Sequence, residues 1–164
     1  MTTTSPDIQI SFTQIGCGQY HLSATQWVNA PVERVFHFFQ QPANLEKLTP
    51  AAQEMRIQPP LPARMEAGTE IVYRLKVKGV PLKWVARIES VDAPRGFVDL
   101  QLKGPYRKWR HQHLFESQNE GTLIRDEIDY AVPCCRVGHK LLVKPQLVKI
   151  FEARGEKVKS LFVA

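Results

Sequence analysis

Apolar and polar residues alternate with a period of two over much of the chain and follow a helical period in two places. Tyr20 to Val28 alternates as a strand. Asn29-Ala30-Pro31 then reads as a helix start, with Pro31 in the first turn and Glu33 near the positive end of the helix dipole. Val32, Val35, Phe36 and Phe39 share one face of that helix, Pro42 ends it, and Asn44 to Leu48 reads as a second short helix before Pro50. Further strands are expected at Met55 to Gln58, Thr69 to Val77, Leu82 to Val91, Phe97 to Lys103, Lys108 to Glu116 and Thr122 to Val132, divided by turns rich in Gly and Pro. Strands spaced so regularly imply an antiparallel meander. Ile8, Ile10 and Phe12 also alternate, but residues 1–19 are rich in Thr, Ser and Gln and are expected to be frayed or loosely paired.

The tail carries the second helical pattern. Leu147, Ile150, Phe151, Val158, Leu161 and Phe162 form an apolar stripe, and Pro145 marks either a kink or a first turn. Pro145 to Val163 amounts to about 28 Å of helix, enough to cross a whole sheet. The expected fold is α+β: a curved antiparallel sheet of about seven strands gripping one long C-terminal helix, with two short helices after the first strand and a space between the layers. Residues 1–19 are read as an N-terminal extension and 20–164 as a single ligand-binding domain.

A chain of 164 residues with 43% hydrophobic and 23% charged residues has the balance of one ordinary folded domain. It has no apolar run of the ~20 residues that a membrane-spanning helix needs. Met1 to Gln19 lacks Lys and Arg, unlike a secretory signal or transit peptide, so a cytoplasmic location is expected. Cys17, Cys134 and Cys135 are odd in number and lack a C-x-x-C spacing, which points to neither a disulfide framework nor a zinc site. Cys134 and Cys135 read as incidental loop residues. Net charge is +6, and most of the excess lies beyond Cys135, where Lys140, Lys144, Lys149, Lys157 and Lys159 recur. A solvated helix face accounts for them; weak attraction to an anionic membrane surface or to nucleic acid is the sharper alternative.

Candidate chemistry sits between Phe97 and Tyr130. Period two puts Phe97, Asp99, Gln101 and Lys103 on one face, with Trp109, His111, His113 and Phe115, and with Ile124, Asp126, Ile128 and Tyr130. The opposite face would carry Arg110, Gln112, Arg125, Glu127 and Asp129, which are costly to bury unpaired, so the first face is expected to be the inner one. Val98, Leu100 and Leu102 argue the other way. With residues 104–108 and 117–120 as connections, Gln101 faces His111, Asp99 faces His113, His111 faces Asp126 and Trp109 faces Ile128. A shift by two residues would change partners but not the face.

Buried together, these polar groups form either a satisfied network that fixes the sheet or the polar end of a ligand cavity. His111 beside Asp126 is also a candidate acid–base pair, although no Ser, Cys or Thr nucleophile is evidently beside it. Two histidines and a carboxylate on one face are a candidate metal set, but i, i+2 histidine pairs recur by chance, so no metal is assigned. The basic and aromatic residues from Lys103 to Arg110 are accounted for by a charged hairpin tip, and no phosphate-binding loop is present, so no nucleic-acid partner is expected.

The order of elements resembles the helix-grip fold of the START-like SRPBCC superfamily over residues 20–163. That superfamily includes polyketide cyclases, coenzyme Q-binding proteins and pollen-allergen-like plant proteins. Specific motifs carry the likeness to a bacterial subgroup: Pro42, Asn44, Leu45, Glu46, Leu48, Thr49 and Pro50; Gly79, Pro81 and Trp84; and Phe97, Asp99, Gln101, Gly104, Pro105, Tyr106, Trp109, His111, His113 and Phe115. Gly121, Thr122, Asp126, Tyr130 and Pro133, then Ile150, Phe151 and Arg154, complete them. The resemblance implies binding of a hydrophobic small molecule, such as a lipid, an isoprenoid quinone or a polyketide-like aromatic. The walls are expected from Phe36, Phe39, Trp84, Trp109, Ile128 and Phe151, and the polar end from Asp99, Gln101, His111, His113, Asp126 and Tyr130. Pro59 to Pro62 are expected at the entrance. The alternative is a cyclase or dehydratase in which His111 or Asp126 moves a proton. No cofactor is expected, and the oligomeric state is left open.

Overall fold

A computed structural model describes residues 3–5, 8–133 and 136–162; Cys134, Cys135 and Val163 lie outside them. The alternating stretches pair into one antiparallel sheet. Its strands are β1 (Thr3–Ser5), β2 (Ile8–Gly16), β3 (Gln19–Val28), β4 (Arg56–Ile57), β5 (Glu70–Val77), β6 (Val80–Asp92), β7 (Gly96–Lys103), β8 (Lys108–Gln118) and β9 (Gly121–Ala131). They lie in the order β1-β2-β3-β9-β8-β7-β6-β5-β4, so the first long hairpin closes against the last strand. Helices α1 (Val32–Phe39) and α2 (Leu45–Leu48) follow β3, and α3 (Arg136–Gly138) leads through one π turn (His139–Val143) into α4 (Lys144–Leu161). This is the helix-grip arrangement, with nine strands rather than about seven.

The extra strands are β1 and β2, where a loosely paired extension was expected. β2 pairs with β3 from Gln9↔Thr25 to Gly16↔Gln19. Ile8 and Ile10 are buried in the same apolar cluster as Leu147 and Phe151 of α4. Helix α4 can settle onto β2 because residue 155 is a glycine: a Cβ there would stand 3.2 Å from Ile8. Gln26 Nε2 donates to the Gly155 carbonyl at 2.7 Å, which ties the helix to β3 as well.

Two hairpins turn more tightly than their sequences signal. Lys78 and Gly79, and Asn119 and Glu120, all have positive φ, which gives two-residue turns whose twist matches the strands. The second turn sets Gln118 opposite Gly121, two residues from the expected register. Consequently His113, not His111, faces Asp126, and Trp109 faces Tyr130. Between β7 and β8 the shift is again two: Asp99 faces His111 and Phe97 faces His113. The inner face is unchanged, since a two-residue shift preserves the side on which each residue lies. Breaks in the β6–β7 register near Val85 and near Ile88 curl that half of the sheet towards α4.

The tail helix starts earlier than Pro145. The π turn lies just before that proline, where the ring has no N–H to give and would crowd the preceding carbonyl. No described helix is long and apolar enough to cross a membrane.

On the outer face His21 bridges two carboxylates of β9, with Nδ1 2.7 Å from Asp129 and Nε2 2.8 Å from Glu127. Glu127 also accepts from Ser23. Partial burial pulls the His21 pKa down, but the hydrogen bonds and charges of Asp129 and Glu127 outweigh it and raise the value above 6.5. The stability this contributes is complete below the unfolded value and fades as pH rises through the folded one. The Tm difference between the wild type and His21→Gln should therefore be largest near pH ~5 and shrink above pH ~7. Thermal melts across that range will test it, and a difference that grows with pH would contradict the bridge.

Candidate functional site

Between α4 and the curled half of the sheet lies a cavity of about 360 Å³. Ile71, Tyr73 and Leu75 of β5 form one wall with Trp84, Ala86 and Ile88 of β6. Leu147, Ile150 and Phe151 of α4 form the other. Gln53, Pro105, Pro133 and Gln146 are among the more exposed lining residues and mark the mouth. Aromatic rings brace each other there: Trp84 stands edge-on to Trp109 at 5.4 Å, Tyr73 stacks on Trp84 at 6.0 Å, and Tyr106 packs on Trp109 at 4.6 Å. Large rings locked together in this way hold the layers apart and leave a hollow that smaller side chains would collapse into.

One side of the cavity is polar. His111 and His113 of β8 point inward with their ring centres 3.7 Å apart. His111 Nε2 donates to Asp126 Oδ1 at 2.9 Å, and His113 Nε2 donates to Asp99 Oδ2 at 3.0 Å. The other His113 nitrogen, Nδ1, lies 2.8 Å from Asp126 Oδ1, close but poorly aimed for a hydrogen bond. Arg154 comes down from α4 to place Nη2 3.7 Å from the same oxygen. Its guanidinium also rests over Phe39 and Phe151, at 5.4 and 5.8 Å from the ring centres.

The electrostatics follow from this crowding. Burial alone would raise the Asp126 pKa, but the Arg154 charge, the His111 hydrogen bond and the close His113 imidazole hold it well below the ordinary carboxylate value. Asp99 behaves alike: burial raises it, but the His113 hydrogen bond and the nearby imidazoles bring it below the usual value. Burial and the neighbouring His113 lower His111. Burial also pulls on His113, yet its two carboxylate partners prevail and raise it. Burial and the Asp99 charge push Tyr73, on the facing wall, well above its usual value.

Of the twelve residues expected at the site, Trp84, Asp99, Trp109, His111, His113 and Phe151 line the cavity. Phe36 and Phe39 do not: they pack on Phe115 at 6.0 and 5.1 Å, in a separate apolar cluster with Val158 and Phe162. Gln101 does not face His111. Its Nε2 donates to the Tyr106 carbonyl and its Oε1 accepts from the Tyr106 N–H, so it clamps the β7–β8 loop. Asp126 sits behind the histidines, and Ile128 is sealed in the core. The Tyr130 hydroxyl is 2.7 Å from His139 Nε2, a partner the sequence did not reveal. Pro59 to Pro62 are absent from the lining. Among residues not expected at the site, Arg154 matters most. Its signal was present: 147, 151, 154 and 158 continue one helical face, and Arg154 is the basic residue within that stripe.

A curved antiparallel sheet closed by a long C-terminal helix over an internal cavity defines the START-like SRPBCC class of proteins. Residues 28–158 match the model of the family described as polyketide cyclase / dehydrase and lipid transport, and the chain belongs to that family. Among solved structures, protein Ms6760 from Mycobacterium smegmatis is 16% identical, with a TM-score of 0.71 over 100% of this chain and 98% of that one. Ginseng major latex-like protein 151 from Panax ginseng is 10% identical, with a TM-score of 0.68 over 90% of this chain and 99% of that one. Ara h 8.0201 is 17% identical, with a TM-score of 0.62 over 87% and 99%. At such identities the likeness establishes the fold. No curated protein matches the chain significantly.

Removing one partner from this buried set strands the others. Asp126→Ala should lower stability by roughly 3–5 kcal/mol, because Arg154 and two imidazoles lose their shared carboxylate. Asp126→Leu combined with Arg154→Met should lose markedly less than the sum of the two single changes. Urea unfolding of the wild type and these four variants measures both effects, and simple additivity would show that the pair is not coupled.

Proposed function

We propose that the chain binds a hydrophobic small molecule with a flat aromatic body and an oxygen-bearing head, a polyketide-like aromatic or quinone-like compound in preference to a flexible acyl lipid. The cavity carries this reading. Its volume falls within the ~300–1,000 Å³ of ligand pockets, and its walls are mainly apolar, with one convergent charged group inside and a few neutral polar residues such as Gln53 and Gln146 near the mouth. Trp84, Trp109, Tyr106 and Tyr73 offer ring edges and faces, which suit a planar guest. Asp99, His111, His113 and Arg154 at one side would orient the head. A second reading, a cyclase or dehydratase, draws on the 2.9 Å His111–Asp126 contact, since a carboxylate that fixes an imidazole tautomer can prepare it to move a proton.

Ile150→Trp would fill the hollow from the helix side without disturbing the polar side. It should weaken binding of anilinonaphthalene sulfonate, followed by fluorescence, by more than about tenfold, and native mass spectra of the purified wild type should show an apolar guest that the variant lacks. Equal probe binding by both proteins would place the probe outside the cavity and count against the reading.

The family description includes lipid transport, and exposed apolar and basic residues lie near the mouth, which supports a membrane-facing role for it. Val137, Leu141 and Leu142 are exposed at the start of the tail helix, just before Val143 and Gln146 of the cavity lining. Lys140 lies among them, while Lys78, Lys103 and Lys108 project from the strand ends on the same side. We read this end as making weak contact with anionic bilayers during ligand exchange. Sedimentation with phosphatidylglycerol vesicles should exceed that with phosphatidylcholine vesicles and vanish near 1 M salt, where the screening length is about 3 Å. Lys140→Glu with Leu141→Asp should abolish it; persistence in that variant would refute the assignment.

A further inference from the structure

We propose that Asp99, His111 and His113 form a binding site for a divalent transition-metal ion, with Zn²⁺ as the reference ion, in the polar side of the cavity. One donor atom from each residue lies within 4.8 Å of the other two. Asp99 Oδ2 is 3.0 Å from His113 Nε2 and 3.9 Å from His111 Nδ1. Around zinc, with bonds of about 2.0–2.2 Å to such ligands, donor atoms stand about 3–3.5 Å apart. Asp99 and His113 already stand at such a separation, and small shifts of the Asp99 carboxylate and the His111 ring would bring the third donor into range.

The hydrogen bonding behind the rings points the same way. Each imidazole turns one nitrogen towards Asp126: His111 Nε2 at 2.9 Å and His113 Nδ1 at 2.8 Å. A ligating histidine characteristically gives its second nitrogen to a carboxylate, which sets ring and tautomer. Here one carboxylate stands behind both rings, hydrogen-bonded to His111 and in close contact with His113. An ionised carboxylate can only accept, so His111 carries its proton on Nε2 and presents a bare lone pair at Nδ1. That lone pair faces Asp99 Oδ2, also an acceptor, and the described residues place no hydrogen bond at His111 Nδ1. Two acceptors 3.9 Å apart on the cavity wall leave room for a cation to bridge them.

Asp99, His111 and His113 line the cavity, whereas Asp126 stands behind them. The remaining coordination positions therefore open onto the hollow, where water or an oxygen of a guest completes the shell. On binding, the ion takes the place of the His113 Nε2 proton, which leaves to water, while His113 keeps its Nδ1 proton facing Asp126. Arg154, 3.7 Å from Asp126, offsets that carboxylate and leaves Asp99 as the anionic ligand. Two nitrogens and one carboxylate oxygen with open positions suit Zn²⁺ or Fe²⁺ rather than Mg²⁺ or Ca²⁺. The site does not depend on the identity of any organic guest.

The full chain, stripped with a chelator and titrated with Co²⁺, should take up one ion and develop visible d–d absorption. Asp99→Asn, which keeps the shape but not the anionic donor, should weaken uptake by more than about tenfold, and Asp126→Asn by about 10–100-fold. Should a variant fail to fold, the wild type still decides the matter. Histidine-ring nitrogen NMR during Zn²⁺ titration should move His111 Nδ1 and His113 Nε2 and leave His21, His37 and His139 in place. Shifts confined to those three, no shift at one equivalent, or full Co²⁺ uptake by folded Asp99→Asn would each overturn the proposal.

Discussion

A carboxylate removed from water has to gather donors around it, and the position of Asp126 organises this molecule. It sits on a central strand, takes a hydrogen bond from one ring and lies against a second on the neighbouring strand, and is approached by a guanidinium on the helix that closes the fold. Strand register, ring orientation and the depth at which α4 lies over the sheet are thereby tied to one oxygen atom. Apolar burial drives the layers together but has no direction; a charged group with few acceptable partners does. The stripe of α4 could pack on the sheet in several azimuths, and only those that bring Arg154 near Asp126 leave no stranded charge.

Close packing elsewhere makes the hollow possible. Phe36, Phe39, Phe97 and Phe115 fill one end of the interior, while Trp84, Trp109 and Tyr106 scaffold the other around empty space. The polar cluster lies on the border between these halves, with Phe97 stacked on His113 at 4.3 Å. A guest would thus meet rigid walls and a fixed polar head, not a surface that must reorganise around it.

Much of this was legible in the residues. Period two assigned the inner face correctly, and the register error of two residues left it intact because side chains repeat on that period. Partners across β8–β9 were misassigned since Glu120 adopts positive φ, which its residue type does not announce. The alternation of Ile8, Ile10 and Phe12 was visible, but its docking under α4 depends on Gly155, far along the chain, where the missing side chain makes room. For Phe36 and Phe39, helical spacing told which side is buried but not against what. His139 was beyond reach because its place follows from a π turn, which breaks the 3.6-residue count by which helical neighbours are found.

That wide turn also bears on how the chain can vary. Adding one residue to a regular helix rotates everything beyond it by about 100°. A π turn is the form such an extra residue takes when the helix bulges instead of rotating. Lying ahead of Pro145, it uncouples the length of the connection after β9 from the azimuth at which Arg154 enters the interior. A residue gained or lost around His139–Val143 would thus reshape the entrance without turning the guanidinium away from its carboxylate.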